Sequence, residues 1–225
     1  MTDTLILVGS PRGKKSSSTS LGNHLKSLLQ DRGLEVEMLW IKLQLVTEEK
    51  TSLMLEAISD AEAVIMIAPL YDDCQPYIVT KTMELIAAQE LDVKKRRFLP
   101  IINCGFPESS HITAVAIPIY KKFASKIGYD WAGSLALGGG EMLQGRYGKQ
   151  LDDIGGLGDK ARRELEKIAD VLAGGIVYSD EALVVMPDIF LKPILADLIR
   201  WMNNRMWRSQ AEKHGAAVDA RPYAP

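Results

Sequence analysis

TLILVGSPRGKKSSSTS, residues 4–20, joins a short apolar run to a turn of unusual composition, and how that junction is read decides the fold. The run from Thr4 to Val8 is apolar and partly β-branched and stops at Gly9, the pattern of a strand buried on both faces in a parallel sheet. From Leu21 to Arg32, Leu21, Leu25, Leu28 and Leu29 share one face at helical spacing, and Gly33 supplies a C-terminal stop. Strand, turn and helix follow one another within the first thirty-odd residues.

The alternation continues. Val36 to Ile41 reads as a second strand, Leu53 to Ile58 as part of a helix, and Ala63 to Ala68 as a third strand closed by Pro69. A helix around Ile78 to Ala88, a strand at Phe98 to Ile102, a helix around Ile112 to Ile127 and a strand at Ala132 to Leu137 come next. A charged helix from about Lys160 to Ala173 completes the series. Right-handed crossovers place each helix across a sheet face, so the spacing predicts an α/β three-layer sandwich around a five-stranded parallel sheet. Residues 1–175 are read as this domain and 176–225 as a helical extension of it. Pro187 and Pro193 lead into an amphipathic segment carrying Leu191, Ile194, Leu195, Leu198, Trp201, Met202 and Trp207. Packing on its own sheet, a dimer contact and a cover over the site all remain open for this helix, with the tryptophans favouring an interface.

At 225 residues with 47% apolar content, the chain is long enough for one proper core. A formal net charge of −2 gives no reason to expect nucleic acid or an anionic membrane as partner, which leaves a small molecule. Cys74 and Cys104 are too few for a disulfide framework or a cysteine zinc site, and they fit a reducing, cytosolic setting. No metal site is expected. Met1 runs into a strand without a basic and apolar leader, and no apolar run approaches the ~18–20 residues a membrane helix needs.

The turn itself, Gly9 to Ser20, combines glycines, the hydroxyls of Ser16, Ser17, Ser18, Thr19 and Ser20, and the cations Arg12, Lys14 and Lys15. A phosphate monoester is best met by hydroxyls and free backbone amides, and the first turn of a helix supplies unpaired N–H groups and partial positive charge. One Ser or Thr here would be an ordinary cap; five in a row exceed what a cap needs. Lys14 and Lys15 read at least as well as a solvated loop. A nucleoside-triphosphate P-loop needs four residues between its first glycine and the Gly-Lys-Ser/Thr element, whereas Gly9 and Gly13 are separated by three. A G-x-G-x-x-G fingerprint is also absent, since Ser10 and Pro11 follow Gly9.

GSPRGKKSSSTSLGNHL after the first strand, APLYDDCQP after the third, NCGFPES after the fourth and LGGGE after the fifth together resemble the flavodoxin-like NAD(P)H-dependent FMN reductases, over roughly residues 4–175. The resemblance implies strand order 2-1-3-4-5 and an FMN cofactor reduced by NADH or NADPH. Electrons would pass to a small-molecule acceptor, a quinone, an azo or nitro compound or a flavin, in a homodimer or higher homo-oligomer. A non-enzymatic flavodoxin-like electron carrier is the alternative. The resemblance places Ser10, Arg12, Ser16, Ser18 and Ser20 around the ribityl phosphate, with Ser17 and Thr19 in the same cluster and Pro11 stiffening the turn. It places Pro69, Leu70, Tyr71 and Asp72 along the isoalloxazine, where backbone N–H groups can meet the pyrimidine oxygens. Asn103, Cys104, Gly105 and Phe106 would form the second wall, with Gly105 allowing close approach and Cys104 reading as a small buried residue. For Tyr71, stacking and plain loop cover weigh equally.

Independently of the resemblance, ligands of open parallel sheets bind at the carboxyl ends of the strands where strand order reverses, and every unusual loop here follows a strand. Four closely spaced thiolates are absent, so no iron–sulfur cluster is expected. Glu108, Glu141 and Asp73 lie on the right loops, but neither they nor His24, His111 and His214 read as catalytic. The glycine-rich stretch Gly138 to Gly158 is open between a mobile lid and a linker.

Overall fold

A computed structural model of the chain describes residues 3–89, 96–105, 112–174, 184–185 and 193–217. The first apolar run forms β1 (Thr4–Val8), which has parallel neighbours on both sides, β2 (Val36–Trp40) and β3 (Ala63–Pro69). Leu5, Ile6, Leu7 and Val8 are fully buried, as a central strand covered on both faces requires. β4 (Arg97–Asn103) pairs with β3, and the expected order 2-1-3-4 is followed by a fifth position.

That fifth position differs from the single strand expected. Two short segments, β5 (Asp130–Trp131) and β6 (Ser134–Leu137), both run parallel to β4. Phe98 pairs with Trp131 and Ile101 with Leu135, so three steps along β4 face four along the fifth strand, and the extra residue is a bulge at Ala132–Gly133. The expected strand begins at Ala132; Asp130 and Trp131, one charged and one apolar residue paired through their backbone, are too short a segment to show a pattern of their own. A two-residue strand, β7 (Val184–Val185), adds beyond β6; two residues are too few to carry a period.

The helices divide between the two faces. Side chains alternate along β1: Leu5 and Leu7 join the cluster of Met54, Ile58, Met83, Ile86, Tyr120 and Phe123, contributed by α3 (Glu48–Asp60), α4 (Tyr77–Ala87) and α5 (Ile117–Lys126). Ile6 faces α1 (Ser17–Asp31), which packs beside α6 (Asp159–Ala173). A short helix, α2 (Ile41–Gln44), begins at the residue where the second strand was expected to end, and a π-type turn at Ile112–Ala116 precedes α5. Tyr120 is wholly buried near Phe98, with ring centroids 6.2 Å apart, and its hydroxyl has no partner among the described residues. Burial pushes that phenol far above the usual range, and neighbouring Cys74 adds to the rise.

The chain divides into two compact units, residues 1–189 and 190–225. The second contains α7 (Pro193–Lys213), in which Leu198, Trp201, Met202, Met206 and Trp207 are exposed and Arg205 lies over the Trp201 ring. Among the described residues, no helix is long and apolar enough to cross a membrane.

Candidate functional site

The turn after β1 is built from its own hydroxyls. Gly13 adopts a left-handed conformation (φ 64°) that brings its N–H to the Ser10 carbonyl (2.9 Å). Its own carbonyl then accepts from Ser16 Oγ (2.8 Å) and Thr19 Oγ1 (2.9 Å). Ser16 caps α1, its Oγ accepting from the Thr19 N–H at 3.1 Å. Thr19 Oγ1 also accepts from the Trp40 indole N–H at 2.9 Å, and Lys14 Nζ sits 5.1 Å from the centre of that ring. Ser16 and Thr19 therefore hold the turn in shape.

The hydroxyls between them do other work. Ser17 donates to the Gly140 carbonyl at 2.8 Å, tying the turn to the loop after β6. Ser18, buried at the floor, accepts from Asn103 Nδ2 at 3.0 Å, and Asn103 Nδ2 also reaches the Ala68 carbonyl at 3.2 Å. The Ser18 O–H has no acceptor among the described residues, and the N–H groups of Ser17 and Ser18, in the first helical turn, have no carbonyl within the helix to bond. Ser20 is buried, and its hydroxyl has no partner among the described residues.

These elements enclose one cleft at the carboxyl ends of the strands, with about 390 Å³ of empty space including its open mouth. Ser10, Arg12, Ser16, Ser17 and Ser18 line it from the first turn; Pro69, Leu70 and Tyr71 from the turn after β3; Asn103 and Gly105 from the end of β4; Gly140 and Glu141 from the loop after β6. Pro11, Thr19, Ser20, Asp72 and Cys104 belong to the same turns but do not line the cleft. Phe106, together with Glu108 and His111, lies outside the described residues.

Hydrogen bonds continue past the strand ends and fix these loops side by side: Gly9 N–H to the Ile67 carbonyl (2.8 Å), Leu70 N–H to the Asn103 carbonyl (2.8 Å) and Cys104 N–H to the Leu137 carbonyl (2.9 Å). Cys104 is buried at 3% exposure. The turn after β3 is closed on itself, because Tyr71 and Cys74 exchange both backbone bonds (2.8 and 3.0 Å) around Asp72 (φ 48°) and Asp73 (φ 61°). With both central residues at positive φ this is a type I′ turn. The amides of Leu70 and Tyr71 are thus already bonded, and this wall offers the cleft side chains, with Tyr71 44% exposed.

The stretch Gly138 to Gly158 winds into three short 3₁₀ turns, Gly140–Leu143, Gly145–Tyr147 and Leu151–Gly158, and packs against α1. A Cβ on Gly145 would fall 2.2 Å from Ser17 N and 2.4 Å from Ser16 C, so only glycine lets this segment lie on the helix N-terminus. Asn23 Nδ2 to Gln150 Oε1 (2.8 Å) and His24 Nδ1 to Asp152 Oδ1 (3.1 Å) tie it further along α1. Glu141 stands between Arg12 (3.4 Å) and Arg146 (3.5 Å) at the mouth. Gly145 and Arg146 had no role in the sequence reading, and Gly140 entered it only as part of the LGGGE motif, with no contact assigned to it.

The cleft floor therefore joins a helix N-terminus, a buried hydroxyl and a nearby arginine, a donor set suited to a phosphate monoester. No group of His, Cys, Asp and Glu that could hold a metal occurs among the described residues.

No family model and no curated protein sequence matches the chain. Solved structures do. An FMN-dependent NADH-azoreductase from Bacillus anthracis, in complex with FMN, aligns with a TM-score of 0.54 at 16% identity, covering 77% of this chain and 100% of that one. A flavodoxin from Streptococcus pneumonia aligns with a TM-score of 0.54 at 12% identity, covering 77% and 99%. The rubredoxin oxygen:oxidoreductase of Desulfovibrio gigas matches at 14% identity with a TM-score of 0.54 over 77% of this chain, which spans only 36% of its length. Strand order, flanking helices and these alignments agree that the chain has the flavodoxin-like α/β fold.

Proposed function

We propose that the cleft holds riboflavin 5′-phosphate with its phosphate at the N-terminus of α1, and that the protein is an oxidoreductase passing electrons from NADH or NADPH to a small acceptor such as a quinone, an azo or nitro compound or a flavin. The observation that carries this reading is the floor of the cleft. There the buried Ser18 hydroxyl and the first amides of α1 lie with Ser10 and Arg12 at the carboxyl end of β1. Similarity to FMN-dependent and flavodoxin structures supports the same cofactor.

The flavin, when bound, would supply the redox chemistry, accepting hydride and releasing electrons. The chain's own residues bind and orient it. Ser18 O–H and the Ser17 and Ser18 N–H groups donate to phosphate oxygens, and Arg12 balances their charge. Pro69 and Leu70 present an apolar wall that excludes water from one side, and the partly exposed Tyr71 covers the mouth.

The azoreductase and the flavodoxin align equally well, so an electron carrier is the second reading. One experiment separates them: load the purified protein with FMN, record its visible spectrum, and titrate it anaerobically with NADH and then NADPH. A yellow protein bleached stoichiometrically by either nicotinamide supports the reductase. A yellow protein inert to both but exchanging electrons with a redox protein supports the carrier, and a colourless protein that ignores FMN removes both.

A further inference from the structure

We infer that Glu141 sets the affinity and selectivity of this cleft: its carboxylate occupies Arg12 and Arg146 across the mouth, and a phosphate-bearing ligand must displace it to enter. The inference rests on the flavin-phosphate reading above.

Glu141 Oε1 lies 3.4 Å from Arg12 Nη1 and its Oε2 3.5 Å from Arg146 Nε, with the three side chains 47%, 50% and 49% exposed. Ion pairs of this length and exposure are weak and screened by salt, so they exchange partners without disturbing the fold. Yet Glu141 and Arg12 line the same cleft as Ser10 and Ser18, and among the described residues that line it Glu141 is the one carboxylate. An anion at the N-terminus of α1 therefore shares a confined space with a resident negative charge and competes with it for Arg12.

The backbone fixes what can move. Gly140 N–H is bonded to the Cys104 carbonyl at 2.6 Å, and the Glu141 carbonyl accepts from Gln144 N–H at 3.1 Å. The adjustment open to Glu141 is rotation of its side chain. On that rotation Arg12 turns to the ligand, while Arg146 stays in the open basic depression that it lines with Arg12, Lys15 and Tyr147, its guanidinium 4.6 Å from the Tyr147 ring centre. The resident carboxylate offsets part of the positive charge of the two arginines in the absence of ligand and opposes every anion that enters; an uncharged ligand does not meet this competition.

The test titrates the full-length wild type and Glu141→Gln with riboflavin 5′-phosphate and with riboflavin, following quenching of flavin fluorescence, and records thermal unfolding of both proteins. Glu141→Gln is expected to bind riboflavin 5′-phosphate about twofold to fivefold more tightly, to leave riboflavin affinity unchanged and to keep the wild-type melting temperature. Unchanged or weaker binding of the phosphate ester, or an equal gain for riboflavin, overturns the inference while leaving the flavin reading in place. A wild type that binds neither ligand overturns the flavin reading itself, and this inference with it.

Discussion

The turns after β1 and β3 face one cleft from neighbouring strand ends, yet they are built on opposite plans. In the β3 turn the Leu70, Tyr71 and Cys74 amides are already bonded, Leu70 N–H to Asn103 and Tyr71 and Cys74 to each other, and the turn lines the cleft with side chains. The β1 turn bonds its hydroxyls to its own carbonyl at Gly13, through Ser16 and Thr19, and leaves helix amides and the Ser18 hydroxyl turned over to the cleft. A closed turn is suited to covering a flat apolar ring; an open helix start is suited to a charged group. The contrast assigns the phosphate to the first turn and the ring to the second.

The largest effect that would break this assignment comes from the first turn. Ser10→Ala with Ser18→Ala is expected to weaken riboflavin 5′-phosphate binding at least about tenfold, because hydrogen bonds to charged groups are the strong ones. Ser16→Ala should instead lower stability by about 1 kcal/mol through loss of the cap, with a smaller change in affinity. Paired ligand titrations and urea melts separate the two variants, and a larger affinity loss in Ser16→Ala would exchange their roles. The smallest effect comes from the second turn. Asp72→Asn with Asp73→Gly gives the Asn-Gly pair that type I′ turns favour and should stabilise by up to about 1 kcal/mol. Calorimetry should then show a melting temperature higher by roughly 2–4 °C, with riboflavin 5′-phosphate affinity unchanged; altered affinity would mean that this turn contributes more than side-chain cover.

Much of this architecture was legible in the sequence. A buried parallel strand needs an unbroken apolar run ending at a turn, and Thr4–Val8 followed by Gly9 shows it; α1 is legible from Leu21, Leu25 and Leu29, all buried. Division of labour among the hydroxyls was not. Successive residues in a helix turn by about 100°, so which of Ser16 to Ser20 caps, which faces the cleft and which is buried depends on where the helix starts. The helix starts at Ser17, which makes Ser16 the cap and leaves Ser20 off the cleft. The role of Gly145 was equally hidden, since the atoms that forbid a side chain there belong to Ser16 and Ser17, far away in sequence. The bulge at Ala132–Gly133 and the two residues of β7 were invisible because pairing through backbone alone leaves no apolar period.

The claim that a phosphate is held at the start of α1 is tested most directly by calorimetric titration of the wild-type protein with riboflavin 5′-phosphate and riboflavin side by side, at low and at high salt. The account predicts that the phosphate ester binds about a hundredfold or more tightly than riboflavin and that salt narrows the gap. Equal affinity for the two at both salt concentrations would contradict it.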